Sequence, residues 1–245
     1  MKAPRNHRLL FPFLLVTLIQ LSSFAQTGDA LLTNSQTFEI DAYKDIQGSP
    51  YYFAEWQIGK VYPKNLTEKD NKIEDYLLNF NGYSKSFEIR KDHRFIALDE
   101  QYYDKIEIQH MEGDQQKTVV FKTNAHPKMN NRFMRIVFKG SNFEVVQDYQ
   151  VRLSQREKEV YAKKEIVESF TKSPNYYLVK NNKAQSIKLK KKQLLGLFKD
   201  QEAAIKKFAK KNRLKLNSEK DLIAILGYYE SLTQAKSTLA DSGRE

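Results

Sequence analysis

No cysteine occurs anywhere in the 245 residues. That excludes disulfides, thiolate zinc sites, cysteine nucleophiles and the lipid-bearing cysteine of a bacterial lipoprotein. The fold must rest on burial alone. Glycine is scarce, with nine residues, and proline scarcer still, with six. After the first 25 residues there is no G-x-G-x-x-G and no other glycine-rich loop to cradle a phosphate. H-E-x-x-H and G-x-S-x-G are also missing, and Ser169-Phe170-Thr171-Lys172 matches S-x-x-K by letter only. The four histidines, His7, His93, His110 and His126, are scattered. No cofactor and no metal site is implied, and acid pairs such as Asp99-Glu100 do not mark a glycosidase dyad. A second long apolar run is lacking as well.

The first apolar run has a clear character. Lys2, Arg5 and Arg8 precede the stretch Leu9 to Leu21, and Ser23-Phe24-Ala25 places small residues at both positions a signal peptidase reads. Cleavage after Ala25 is expected, leaving Gln26 as the N-terminus. The rival reading is an uncleaved anchor, for which the run is short. The expectation is a soluble exported protein, periplasmic or released, and not a lipoprotein. About 220 residues then remain, enough for one domain with a real core or two small ones.

The formal charge of +11 shrinks once the first 25 residues go, to 38 basic side chains against 30 acids. Residues 163–215 hold 16 Lys and Arg against four acids. The protein is thus basic in its C-terminal third only, an asymmetry that attracts polyanions.

From Phe38 to Leu153 the pattern has period two, with turn punctuation. FEIDAY (38–43), YYFAEWQIGKVY (51–62), YLLNF (76–80), YSKSFEI (83–89), RFIAL, KIEIQH, KTVVFK, RFMRIVF and FEVVQDYQVRL read as strands. Asn81-Gly82 predicts a type I′ hairpin turn, which needs positive φ at both positions. Gly59 marks a bulge or a close approach. SQREKEVYAKKEIVESF (154–170) is polar and reads as a helix or a linker. YYLVK and QSIKL bracket Asn181-Asn182-Lys183 as one more hairpin.

The period then changes to 3.6. Leu194, Phe198, Ile205 and Phe208 fall on one helical face, with Leu197 and Ala209 beside them. Lys206, Lys207, Lys210 and Lys211 lie opposite. A break is expected near Asp200, with that residue as an N-cap. Ser218 and Asp221 resemble a capping box ahead of a second stripe, Leu222, Ile225, Leu226, Tyr229 and Leu232. The preferred reading buries these stripes and leaves the lysines in water. The competing one is contact with anionic lipid through Lys206, Lys207, Lys210 and Lys211. Nucleic acid is disfavoured, because 188–216 has one arginine and its aromatics lie on the apolar side.

Four tyrosine doublets occur: Tyr51-Tyr52, Tyr102-Tyr103, Tyr176-Tyr177 and Tyr228-Tyr229. In a strand, one member of each faces the core and the other faces out. An outward row stacks on sugars or peptides, or simply paves a half-wet sheet. Tyr51, Tyr52 and the single tryptophan, Trp56, are the candidate ligand-binding residues.

The segments GSPYYFAEWQIGKVY, YLLNFNGYSKSFEI, RFMRIVFKGSNFEVVQDYQVRL, YYLVKNNKAQSIKLKKKQLLGLFKDQEAAIKKF and DLIAILGYYESL resemble a group of secreted proteins of Bacteroidetes bacteria with no assigned function. The likeness spans most of residues 45–233 and rests on turns, core aromatics and amphipathic helices. It implies export, a Gram-negative envelope and a β-then-α layout, and it supplies no catalytic residues.

The expected class is α+β. An N-terminal antiparallel meander (curved sheet, barrel or sandwich) precedes a β-hairpin and amphipathic C-terminal helices. The expected division is a signal peptide over 1–25, a β domain over 26–153, and a polar helix or linker over 154–175. A hairpin with helices follows over 176–236, then a disordered tail over 237–245. The expected function is that of a non-catalytic envelope binding or scaffold protein, whose partner is an envelope component, an anionic lipid or another protein. The alternative is a hydrolase using His93 or His110 with nearby carboxylates.

Overall fold

A computed structural model describes residues 36–38, 43–64, 75–91, 94–160 and 163–242. The expected leader segment with its expected cleavage site, most of FEIDAY and His93 lie outside the described residues.

The architecture is α+β, mostly antiparallel sheet with helices near the C-terminus. The strands are β1 (Gln36–Phe38), β2 (Gln57–Pro63), β3 (Asp75–Asn81), β4 (Ser86–Lys91), β5 (Arg94–Ala97), β6 (Tyr103–Glu112) and β7 (Gln115–Lys122). They continue as β8 (Met134–Lys139), β9 (Glu144–Asp148), β10 (Val151–Val160), β11 (Lys163–Lys172), β12 (Asn175–Lys180) and β13 (Lys183–Ile187). Eleven of them form one open sheet in the order β1-β5-β4-β3-β2-β6-β7-β8-β9-β12-β13. β10 and β11 pair separately. Helices α1 (Lys191–Gly196), α2 (Glu202–Lys211) and α3 (Glu219–Ser242) follow.

One face of the sheet carries two apolar clusters. The first gathers Leu78, Phe80, Phe87, Ile106 and Phe121. Phe87 on β4 meets Phe121 on β7 at 4.9 Å between ring centroids, although β3, β2 and β6 lie between those strands. In a flat sheet, four strand steps would hold them about 19 Å apart. The second cluster joins Val145, Tyr176 and Ile187 of the sheet to Leu194, Phe198 and Ile205. The helical stripes are therefore buried as expected: Phe198 is 2% exposed and Ile205 0%. Phe208 is half-buried and stacks on Tyr228 at 4.1 Å. The Ser218 cap forms, its hydroxyl accepting from the Asp221 amide at 3.2 Å.

Several local expectations are corrected. Residues 154–160 and 163–170 lie in two long strands, not in a helix or a linker. The β10–β11 ribbon is exposed on both faces over most of its length, so it shows no alternation to read. Cross-strand pairs hold it, such as Lys164 with Glu157 at 3.1 Å and Gln155 with Glu168 at 2.7 Å. Its base is anchored where the Phe170 amide donates to the Gln47 carbonyl at 2.8 Å. Asn81-Gly82 does join two strands, but not by a type I′ turn. The loop is longer, closed by the Lys85 amide donating to the Asn81 carbonyl, and positive φ falls on Lys85. Glycine is needed at 82 for space, since a Cβ there would sit 2.7 Å from the Tyr149 ring. Both central residues have positive φ instead at Asn181-Asn182, between the paired Lys180 and Lys183. Gly59 is a close approach rather than a bulge, with Glu107 O 2.9 Å from where its Cβ would be. The helical break does fall at Lys199–Gln201, yet Asp200 does not cap α2. Finally, α3 runs on to Ser242 through a stretch with no glycine or proline to stop it, past the expected boundary at 236.

Candidate functional site

Directly paired residues in an antiparallel sheet share a face. One transverse row therefore runs Val61, Ile106, Phe121, Arg135, Gln147, Tyr176, Ile187 across seven strands. Its ends lie in the two apolar clusters, and its middle is polar. Arg135 and Gln147 form the seam between the cores, at 7% and 4% exposure.

Polar groups buried this deeply need partners. Arg135 Nε donates to Gln147 Oε1 at 2.9 Å. Gln147 Nε2 donates to the Tyr176 hydroxyl at 2.8 Å, and that hydroxyl donates to Glu219 Oε2 at 2.9 Å. Glu219 also accepts from Gln147 Nε2 at 3.1 Å and from Arg135 Nη2. Glu219 stands in the first turn of α3, so this network ties the helical layer to the sheet. Burial, and then the Glu219 charge, push the Tyr176 hydroxyl well above its ordinary range.

A cleft of about 560 Å³ opens along the seam, between β6–β8 and the start of α3. Tyr52, His110, Lys117, Arg135, Glu219 and Ile223 are among its lining residues. The Arg135 guanidinium lies over the Tyr52 ring at 5.6 Å. The His110 ring packs beside Phe53 at 5.2 Å, and no carboxylate among the described residues is hydrogen-bonded to it. Glu112, two residues on, is held by Lys117. Among the described residues no group of three or more metal-ligating side chains is placed to hold an ion.

The predicted aromatic trio is divided. Tyr52 goes to the cleft side, its ring 5.0 Å from that of Tyr149. Tyr51 and Trp56 lie together at 5.4 Å, with Trp56 stacked on Phe95 at 4.8 Å. All three are partly buried and engaged with their own neighbours, so they form no outward platform. At 102–103 Tyr103, the first residue of β6, is 2% exposed and Tyr102, in the short 3-10 turn before the strand, 46%. At 176–177, both within β12, Tyr176 is buried and Tyr177 half-buried, so neither member faces fully out. Lys206, Lys207, Lys210 and Lys211 are all exposed on α2, and Lys206 pairs with Glu202 at 2.6 Å. The apolar side of α2 is already covered, so a bilayer would meet ammonium groups alone.

Beneath Tyr51 lies a buried acid. Glu88 accepts from the Tyr51 hydroxyl and from Asn81 Nδ2, both at 2.7 Å. It is 2% exposed, and burial raises its pKa above the usual carboxylate range, against the opposing hydrogen bonds. The folded state therefore holds a proton that the unfolded chain releases near pH 4.5, so stability falls as pH rises through the folded pKa. Glu88→Gln, which cannot ionise, is expected to flatten that fall. Urea midpoints of the two proteins at pH 4, 6 and 8 check this. Parallel curves would show that Glu88 does not titrate abnormally.

The Arg135–Gln147–Glu219–Tyr176 network was not anticipated from sequence. One signal was present: RFMRIVF puts Arg135 in phase with Phe133 and Val137, a charge on an inward face. Its partner, 84 positions away, gave no sign.

Comparison of the chain with protein-family models, with curated proteins and with solved structures finds no match.

Proposed function

We propose that the protein is a non-catalytic binding protein of the bacterial cell envelope, exported after loss of residues 1–25, with its ligand in the cleft beside α3. The cleft carries this reading. It joins a short apolar strip, Val119, Val137 and Ile223, to a larger set of polar groups that includes Arg135, Lys117 and Glu219, so a ligand there must carry both characters. Glu112 is paired with Lys117 and Glu219 with Arg135, and among the described residues neither carboxylate is hydrogen-bonded to His110 as an acid–base dyad. The contact of Phe87 with Phe121 supports a curled open layer, rather than a barrel or a sandwich, as the scaffold. The N-terminal run supports export, and the likeness to secreted Bacteroidetes proteins agrees with it.

Nile red, a neutral apolar dye, tests the cleft. The mature chain is expected to bind one dye molecule with enhanced emission. Ile223→Asp, at a residue already 38% exposed, is expected to weaken binding at least tenfold without unfolding the protein. Dye binding that ignores this substitution would remove the cleft as the site. Envelope-fraction protein that begins at Met1 rather than Gln26 would remove the cleavage reading in favour of an uncleaved anchor, and protein confined to the cytoplasmic fraction would remove the export reading.

A further inference from the structure

We propose that the cleft takes a carboxylate-bearing amphiphile, with Arg135 as its anion anchor. This deepens, and rests on, the binding reading above. Two of the three guanidinium nitrogens are committed, Nε to Gln147 and Nη2 to Glu219. Among the described residues Nη1 has no hydrogen-bond partner. Among the described residues, however, no buried side-chain nitrogen or oxygen lacks one. Nη1 is therefore accessible, and the opening that Arg135 lines is the cleft. A guanidinium fixed on two sides, with donor N–H groups on its remaining edge, is pre-organised for an oxyanion.

The surrounding charge selects among oxyanions. Lys117, Arg135 and Lys220 line the cleft together with Glu112 and Glu219. Three cations against two carboxylates leave one net positive charge, which matches a monoanion. A phosphate dianion would be left with uncompensated charge beside two acids. The rest of the ligand follows from the walls. Val119, Val137 and Ile223 offer an apolar surface for an alkyl body. A neutral sugar is a poorer fit, since the Tyr52 ring it would stack on already meets Phe53, Phe121, Tyr149 and the Arg135 guanidinium.

Calorimetric titration of the mature chain with decanoate, below its micelle concentration, and with decanol as the uncharged control, tests the proposal. Decanoate is expected to bind one to one and at least tenfold more tightly than decanol. Lys220→Glu reverses an exposed charge at the rim and turns the net charge negative. It is expected to weaken decanoate about tenfold and leave decanol unchanged. Arg135→Gln is expected to abolish the preference for decanoate. Because that variant also loosens the Glu219 link, Lys220→Glu keeps the test valid should it not fold. Equal affinity for the two ligands, or decanoate binding indifferent to Lys220→Glu, overturns the carboxylate proposal. If Nile red binds and decanoate does not, the carboxylate proposal alone falls. If neither binds, the binding reading falls with it.

Discussion

Glu219→Ala is expected to destabilise the protein by about 2–3 kcal/mol and to loosen the start of α3 from the sheet. Removing one member of a buried ion pair costs about 3–5 kcal/mol, because the remaining charge is left uncompensated. The lower figure applies because the Glu219 side chain keeps 29% of its exposure, against 9% for Arg135. Three donors would lose their shared acceptor at once: Arg135 Nη2, Gln147 Nε2 and the Tyr176 hydroxyl. Glu219→Gln keeps an acceptor oxygen and is expected to lose about half as much. Glu202→Ala removes an exposed helical pair of similar make-up and is expected to cost under about 0.5 kcal/mol. Urea unfolding gives the three values, and amide exchange over residues 219–226 reports the loosening. A loss at Glu219→Ala no larger than at Glu202→Ala would show that the network does not hold the helical layer.

Phe87→Ala is expected to be the most damaging single change, at about 4 kcal/mol. The ring is 0% exposed and lies within 5.1 Å, centroid to centroid, of Phe80, Phe121 and Phe133. Truncating a buried phenylalanine costs about 3–5 kcal/mol through lost transfer energy and the cavity left behind. Each aromatic pair adds about 0.5–1.5 kcal/mol beyond its buried area. The site is central, because Phe87 touches strands on either side of the bend in the sheet, so its loss loosens both. A chain of this size changes its melting temperature by about 2–4 °C per kcal/mol, so a fall of about 8–16 °C is expected. Calorimetry measures it. A fall of only a few degrees would mean that the bend is held elsewhere. Tyr102→Ala, at a residue 46% exposed, serves as the control.

Strand and helix positions were legible wherever one face of an element is buried and the other is wet. β6 alternates, and so do the stripes of α1 and α2, because half of each element faces a core. The ribbon β10–β11 was not legible, since water bathes most of both its faces and polar pairs across the strands replace alternation. Asn81-Gly82 was misleading for a related reason. Its glycine answers to the Tyr149 ring, 67 residues on, rather than to the backbone of its own turn.

The sequence by itself determined the α+β class, the burial of the helical stripes and the absence of any cysteine chemistry. Each of these depends on residue type and local period, which a chain carries with it. Only the tertiary structure decided that Arg135, Gln147, Tyr176 and Glu219 meet, that Tyr52 parts from Tyr51 and Trp56, and that a cleft opens between two cores. Those facts depend on strand register and on where a helix lands. Both are set by the packing of side chains far apart in the chain, and no local pattern encodes that.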